Sequence, residues 1–569
     1  MVPGPLPHHH LFSMIKFAMK VDEKTVMNSR AFGRRPPAAL LAGGVLLAAV
    51  ILWAAFTNLA NYPTLWWDEA IFSETAANLV QHGRYAFTVQ SPSQLSDLDY
   101  RISVGPAIIL PVALAYKLFG VGLTSGRLVA GVYLVFSFLG LFLAATRLFA
   151  ARAALLAVLL ALLGTDVLYW GRSVLGDVPA LGLFLFGTWL LLGGLEQGTT
   201  LPLFLGGIFL GLAFDAKEFY GLACLVPLWF IARQDWQQRR RLVLRLLVYC
   251  LGVGLPVLAY VALKVVILGG ITPALQHFLE QKALLRHEFF TPFTIGRLYP
   301  ESFFFLAGHL LFLLGVLGGI HLWRRGRLTL GERLWLANFV LWTGVYLTAV
   351  FWHRFALPAL FLAAPLAARL LWHLLGRATA AASLRARIII APALTLGFFL
   401  WLFPLTGLDL MAAACTCVVH PPTRVIEYLK RHIPPQALIE TPEYELAFLD
   451  DEHKYNLMPA FFFIESNESG VRLLNPRGQP YDFNRSKAEV LVLGSFGKSI
   501  FRQIYPPTLV ERHWRQVARI DFYDIYVRRP PEVTRDRKSP GLTKTRTRTT
   551  RTAGNTPHVP SSPSDSPAQ

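Results

Sequence analysis

AALLAGGVLLAAVILWAAFTNLANYPTLWWDE, residues 38–69, decides how the rest of the chain is read. An unbroken apolar run ends on Trp66-Trp67-Asp68-Glu69, so two carboxylates follow a greasy segment almost at once. The hydrocarbon core of a bilayer is about 30 Å thick and takes about 20 apolar residues as a helix. Residues 38 to 60 meet that length, which makes the run a membrane crossing and the acid pair its rim. The run is long and stands behind residues 1–37, so it reads as a retained anchor and not as a cleaved signal peptide.

Outward from this stretch the same ruler gives eleven spans: 38–60, 126–146, 153–169, 178–195, 201–214, 219–232, 242–268, 298–322, 334–351, 355–374 and 388–411. The composition agrees. Of 569 residues 54% are hydrophobic and only 16% charged, with a mean hydropathy of +0.44. Soluble domains carry about 25% charged residues, so a water-soluble globular protein is excluded, and so is a largely disordered chain. Four cysteines make no disulfide framework at this length, and their spacing matches no zinc site. The net charge of +19 is not a nucleic-acid signature, because Lys and Arg sit mostly in short loops between apolar runs and in the C-terminal tail.

Basic residues accumulate in cytoplasmic loops. Arg30, Arg34 and Arg35 precede the first span; Arg147 and Arg152 lie between the second and third; Arg233, Arg239, Arg240 and Arg241 follow the sixth. Arg324, Arg325, Arg327 and Arg333 follow the eighth, and Arg377, Arg385 and Arg387 the tenth. With eleven spans all of these fall on one side, so the amino terminus is cytoplasmic and the chain after residue 411 is outside. VGPAIILPVALAYKLF, residues 104–119, would invert everything downstream if it crossed; it is short and holds Pro106, Pro111 and Lys117, so it reads as an interfacial or re-entrant helix.

The expected architecture is thus a polytopic α-helical membrane protein with about eleven transmembrane helices and a small extracytoplasmic α/β domain. A cytoplasmic tail covers 1–37, the transmembrane domain 38–411 with external loops 61–125 and 270–297, and the α/β domain 412–530. In that domain TRVIEYLKRHI reads as an amphipathic helix, and ALIET, AEVLVLGS and RIDFYDIYVRR read as strands. Residues 531–569, basic and without apolar pattern, read as a disordered tail.

This orientation gathers charged residues at the external rim. Asp68 and Glu69 follow the first span, Arg172 and Asp177 join the third and fourth, Asp215, Lys217 and Glu218 join the fifth and sixth, and His353-Arg354 joins the ninth and tenth. Ionisable groups at membrane depth are costly to desolvate and are functional candidates. Singly, each also fits a bland reading as a solvated carboxylate, a snorkelling Arg or, for the Lys217 trio, a local ion-pair network. The acid pair beside Trp66 and Trp67 is harder to explain as mere rim.

WWDEAIFSETAANLVQHGRYAF resembles the first external loop of the polyprenyl-phosphate-dependent GT-C glycosyltransferases, the superfamily of protein O-mannosyltransferases and aminoarabinose transferases (family 39 and 83 types). The likeness continues through ISVGPAIILPVALAYKLFG, SGRLVAG, YWGRSVLGDVPALGLFL, GLAFDAKEFYGL and WHRFALPALFLAAPLA, most of residues 60–370. The resemblance implies a GT-C-like fold and an active-site acid matched by Asp68, with Glu69 beside it. It further implies a second acid matched by Asp177, and basic residues matched by Lys217 and Arg354. Ser103-Val104-Gly105-Pro106 replaces the Lys-Pro-Pro-Leu segment of the aminoarabinose branch, which leaves the sugar open.

The implied donor is a sugar joined through one phosphate to a long isoprenoid, met at the outer face of the cell (inner or plasma) membrane; the acceptor is a glycan, lipid or protein. Glycosyl transfer builds positive charge at the anomeric carbon and negative charge on the departing phosphate, so carboxylate and cations must converge. The expected roles are Asp68 as general base, Glu69 orienting it or binding the acceptor, and Arg172, Lys217, His353 and Arg354 around the lipid phosphate. Asp177 completes the catalytic set by hydrogen bonds or by sharing a divalent metal (Mg or Mn) with Asp68, the metal being optional on the sequence alone. Direct displacement would invert the anomeric centre. The rival class is a transporter or flippase of lipid-linked saccharides, in which polar groups sit near the bilayer midplane on paired, interrupted helices.

Overall fold

The first apolar run is the helix α1 (Ala38–Phe56), and the acid pair opens a second, α2 (Trp67–His82), which stops on Gly83 in the left-handed conformation (φ 66°). The computed structural model describes residues 38–90, 94–99, 101–287, 298–348, 352–381, 397, 409–415, 420–457, 463–467, 470–474, 481 and 486–530. The cytoplasmic tail expected over 1–37, part of the 270–297 loop, most of the 388–411 span and the basic tail over 531–569 lie outside these residues.

After α2 come a hairpin, β1 (Ala86–Gln90) and β2 (Gln94–Asp97), and the helix α3 (Pro106–Phe119), over the run expected to form an interfacial or re-entrant helix. Pro106 suits a first helical position, where no N–H is needed. The bundle continues with α4 (Leu123–Leu148), α5 (Ala151–Leu163), the single turn α6 (Val167–Gly171), α7 (Asp177–Gln197) and α8 (Leu201–Ala216). A 3-10 turn over Glu218–Cys224 leads into α9 (Leu225–Asp235), α10 (Arg239–Ile267) and α11 (Ile271–His287). Then follow α12 (Pro300–Gly308), α13 (Leu310–Arg324), α14 (Leu330–Leu347), a 3-10 turn over His353–Ala356 and α15 (Leu357–Ala381). Thr329 and Glu332 start α14 with a reciprocal capping box.

Among the described residues four helices are long and apolar enough to cross a bilayer: Leu123–Leu148, Asp177–Gln197, Arg239–Ile267 and His353–Arg377. The expected span 298–322 is instead two helices bent by 80° where they meet at His309. The expected span 153–169 breaks after Leu163, and 219–232 begins as 3-10 turn, so both are shorter than the apolar run suggests. Residues apolar on every side make α7 a central helix, packed between α4 and α8. By contrast α10 exposes Val243, Leu244, Leu247, Leu251, Leu255 and Leu258, a stripe that only hydrocarbon can solvate favourably.

The C-terminal region carries α16 (Pro421–His432), β3 (Leu438–Thr441), α17 (Tyr444–Leu449) and β4 (Lys454–Leu457). A separate hairpin, β5 (Phe463–Asn467) and β6 (Gly470–Leu474), precedes β7 (Val490–Leu493), β8 (Trp514–Ile520) and β9 (Tyr523–Arg528). Seven strands form one sheet in the order β2-β1-β4-β3-β7-β9-β8. Strand β3 runs parallel to β4 and β7, whereas β1 lies antiparallel to β4 through Gln90 and Asn456. The β1–β2 hairpin and the C-terminal region, expected as separate units, therefore share a sheet. RIDFYDIYVRR is not one strand but the end of β8, a turn and the whole of β9, turning at Asp521 with φ 52°, a conformation Asp tolerates better than most residues.

Candidate active site

Trp66, in extended backbone, starts α2 and places Asp68 and Glu69 in its first turn. Consecutive helical residues do not share a face, and the two acids part company. Glu69 points inward. Fully buried, it is gripped by Arg127 through Nε (2.8 Å) and Nη2 (2.7 Å) and accepts the Val174 N–H (3.1 Å), while Arg127 Nη1 donates to the Leu59 carbonyl (3.0 Å). Glu69 thus ties the end of α1, α4 and the 172–176 loop together and has no surface to offer an acceptor.

Asp68 is 19% exposed. Arg354 donates to its Oδ2 through Nη2 at 2.6 Å, and Arg354 Nε lies 3.9 Å from Oδ2 of Asp177, the first residue of α7. One guanidinium therefore stands between two carboxylates. Around it, ring centroids of Trp170, Trp352 and Phe355 lie 5.6, 5.5 and 5.4 Å from its central carbon, within cation–π range. Among the described residues Nη1 of Arg354 and both carboxylate oxygens of Asp177 are buried without a hydrogen-bond partner. Buried polar groups are almost always paired, so these three atoms point to a ligand.

Lys217 reaches the same corner. At the end of α8 its backbone turns extended, and its Nζ lies 3.3 Å from Ser103 Oγ. The corner is tight: a Cβ on Gly176 would stand 2.3 Å from the Ala216 carbonyl oxygen, and one on Gly105 2.3 Å from that of Asp215. Glycine at these two positions lets α3, α7 and α8 converge and lays the Lys217 side chain beside Gly176, next to Asp177. Tyr220 holds the start of α7 by donating to the Asp177 carbonyl (3.3 Å).

Two expected phosphate ligands lie elsewhere. Arg172, 1% exposed, donates through Nη1 to the Ala54 carbonyl (2.8 Å) and through Nη2 to that of Thr57, with its guanidinium over the Tyr62 ring. It caps the end of α1, where a cation meets free carbonyls favourably, and is engaged as structure. His353 is exposed, stacks on Phe305 at 4.4 Å and has Nδ1 3.9 Å from Asp166 Oδ2.

The Asp68–Asp177 pair does not fit a shared divalent ion, because Arg354 fills the space between the carboxylates. Among the described residues no group of three or more His, Cys, Asp or Glu is arranged to hold a metal.

Sequence reasoning missed Arg127, Asp166, Trp170 and Trp352. An acid inside an apparently continuous apolar run was the available signal for Asp166. It also missed what holds the acid helix in place. The Trp67 ring is stacked between Tyr444 (4.8 Å) and Phe496 (5.2 Å), and its N–H donates to the Pro442 carbonyl (2.8 Å). The C-terminal region thus clamps the residue next to Asp68.

Residues 103–261, which include Ser103, Asp177 and Lys217, match the dolichyl-phosphate-mannose-protein mannosyltransferase family. No curated protein matches the chain in sequence. Among solved structures, ArnT from Cupriavidus metallidurans bound to undecaprenyl phosphate is 15% identical, with a TM-score of 0.54 over 86% of this chain and 98% of that one. The archaeal oligosaccharyltransferase AglB from Archaeoglobus fulgidus, in complex with an inhibitory peptide and a dolichol-phosphate, is 13% identical, with a TM-score of 0.52 over 84% and 72%. At such identities the likeness is one of fold.

Proposed function

We propose that this chain, which the family match and the shared fold mark as a glycosyltransferase of the GT-C superfamily, moves a single sugar from a polyprenyl-phosphate donor to an acceptor at the extracytoplasmic face of the cell membrane. The observation that carries the reading is Arg354 held between Asp68 and Asp177, with Lys217 at the same corner. A donor phosphate meets Arg354 and Lys217. Its arrival draws Arg354 from Asp68, and the carboxylate thus released accepts the proton of the acceptor hydroxyl as general base, a role worth about 10²- to 10⁴-fold. The acceptor oxygen bonds to the anomeric carbon as the bond to the phosphate oxygen breaks, with inversion, and the polyprenyl phosphate leaves on the cations that received it. Asp177, at the positive end of α7, keeps Arg354 in register.

The isoprenoid must stay in hydrocarbon while its head enters the cleft. An apolar crevice of about 390 Å³, lined by Pro111, Val129, Val132, Tyr133, Phe136 and Leu183, runs between α3, α4 and α7 and suits the tail. Eleven crossings, an inside amino terminus and an outside C-terminal region complete the reading. It is supported by α4, which begins beside the Glu69–Arg127 pair and ends at Arg147, putting site and basic loops at opposite ends of one helix.

The test is transfer of radiolabelled sugar from a panel of undecaprenyl-phosphate sugars by the purified protein in lipid nanodiscs, with envelope glycolipids and proteins as acceptors. Product that disappears in Asp68→Asn supports the reading. Movement of intact lipid-linked sugar between leaflets without transfer would replace it with a flippase.

A further inference from the structure

Outside the carboxylate–guanidinium set, three tryptophans converge, each packed against the core on one side only. Trp66 precedes α2, Trp170 sits in α6 and Trp352 precedes the His353 turn, so three separate segments supply them. Trp66 stands edge-on to both others, at 6.1 Å from Trp170 and 5.6 Å from Trp352. All three keep part of their surface uncovered, although large aromatic rings contribute most when covered. On the open side of Trp170 lies a polar edge. Its indole N–H donates to Asp166 Oδ2 at 2.6 Å, and the same oxygen is 3.9 Å from His353 Nδ1, with side chains 32% and 48% exposed.

We infer that Trp66, Trp170 and Trp352 with Asp166 and His353 form the subsite that grips the sugar ring of the donor; this rests on the transferase reading above. A sugar ring has apolar C–H faces and a rim of hydroxyls, which is the chemistry that aromatic rings bordered by a carboxylate and an imidazole recognise. An isoprenoid chain has no hydroxyls, and seating it here would desolvate Asp166 without compensation. The subsite belongs to the donor sugar and not to the acceptor because Trp170 and Trp352 lie 5.6 and 5.5 Å from the carbon of the Arg354 guanidinium that receives the phosphate. The group bonded to that phosphate is the sugar. Asp166, anchored by the Trp170 N–H, accepts two hydroxyls, and His353 takes a third. Asp166, bonded to the Trp170 N–H where Asp68 is bonded to Arg354, discriminates among sugars and takes no part in proton transfer.

The experiment measures the affinity of the full-length protein in nanodiscs for undecaprenyl phosphate and for a panel of undecaprenyl-phosphate-linked hexoses and pentoses. The readout is the ratio of the two affinities. In the wild type the best sugar raises affinity about tenfold or more over bare undecaprenyl phosphate. In Asp166→Asn, and less completely in Trp170→Phe, which keeps the ring but loses the N–H anchor, the ratio falls toward one. Should Asp166→Asn not fold, Trp170→Phe and His353→Gln decide by the same ratio. A wild type that binds bare and sugar-loaded lipid equally, or variants that keep the full ratio, overturns the subsite while leaving the transferase reading standing. Failure to bind either lipid overturns that reading itself.

Discussion

An α-helix turns about 100° between consecutive residues, and at Asp68 and Glu69 that rotation separates chemistry from scaffolding. Asp68→Asn keeps size and hydrogen bonding but loses the basic oxygen; kcat should fall about 10²- to 10⁴-fold with an unchanged melting temperature, read by transfer assay and thermal unfolding. Glu69→Ala should do the opposite first. It strands a fully buried Arg127, and breaking a buried pair costs about 3–5 kcal/mol, so the protein should lose thermal stability before any kinetic effect can be assigned. The Asp68, Asp177, Lys217 and Arg354 corner was legible because charged residues at one membrane depth are few. The structural engagement of Glu69 and Arg172 was not, because their partners lie 58 residues away at Arg127 and more than 100 away at Ala54 and Thr57. No local pattern encodes a contact at that range.

Elements carry these residues, and their ends matter more than their lengths. The meeting of α7 with the end of α8 depends on Gly176 lacking a side chain, since a Cβ would collide with the Ala216 carbonyl. Gly176→Ala should therefore push Lys217 out of the corner and raise the donor KM by more than it lowers kcat. The crevice between α3 and α4 gives an independent test of the lipid route. Val132→Asn places an amide where an isoprenoid would lie and should raise the KM for full-length undecaprenyl donor. The KM for a short-chain analogue should stay as it was; equal effects on both would argue against the tail lying there. Helices of the bundle were readable from the length of their apolar runs, but their breaks were not. The run through Gly164-Thr165-Asp166 stays apolar on average while its backbone changes direction, and hydropathy averaged over a window cannot see a change of direction. The β8–β9 turn was missed similarly, because Asp521-Phe522 is flanked by strand-forming residues on both sides.

At the scale of the molecule, the clamp on Trp67 rests on a buried acid pair. Glu443 accepts the N–H groups of Gly494 and Gly497 (2.8 Å each), fixing the loop that carries Phe496, and Glu445 accepts from Tyr523 (2.8 Å). Burial pushes the Glu443 carboxyl up to about 7 and the Glu445 carboxyl up to about 8, the latter raised further by Glu443 beside it. The folded chain thus keeps protons that unfolded carboxyls release near about 4.3. Stability from this pair is full below that value and is lost as pH rises through 7 and 8. The melting temperature should accordingly fall as pH rises from about 4.3 toward about 8 and level off above it, and Glu445→Gln should flatten that slope; a wild-type profile without the slope would dismiss the pair as a determinant.

The sheet has a consequence for how the protein is made. Its β1–β2 edge emerges from the ribosome before the long helices of the bundle, and the strand that β1 pairs with is translated only after them. Until then the hairpin waits without β4 beside it, and the Trp67 indole lacks the Pro442, Tyr444 and Phe496 that cover it in the finished fold. The sheet is therefore completed last where it was begun almost first, and a nascent chain stalled before residue 420 should insert its helices yet show no transfer activity.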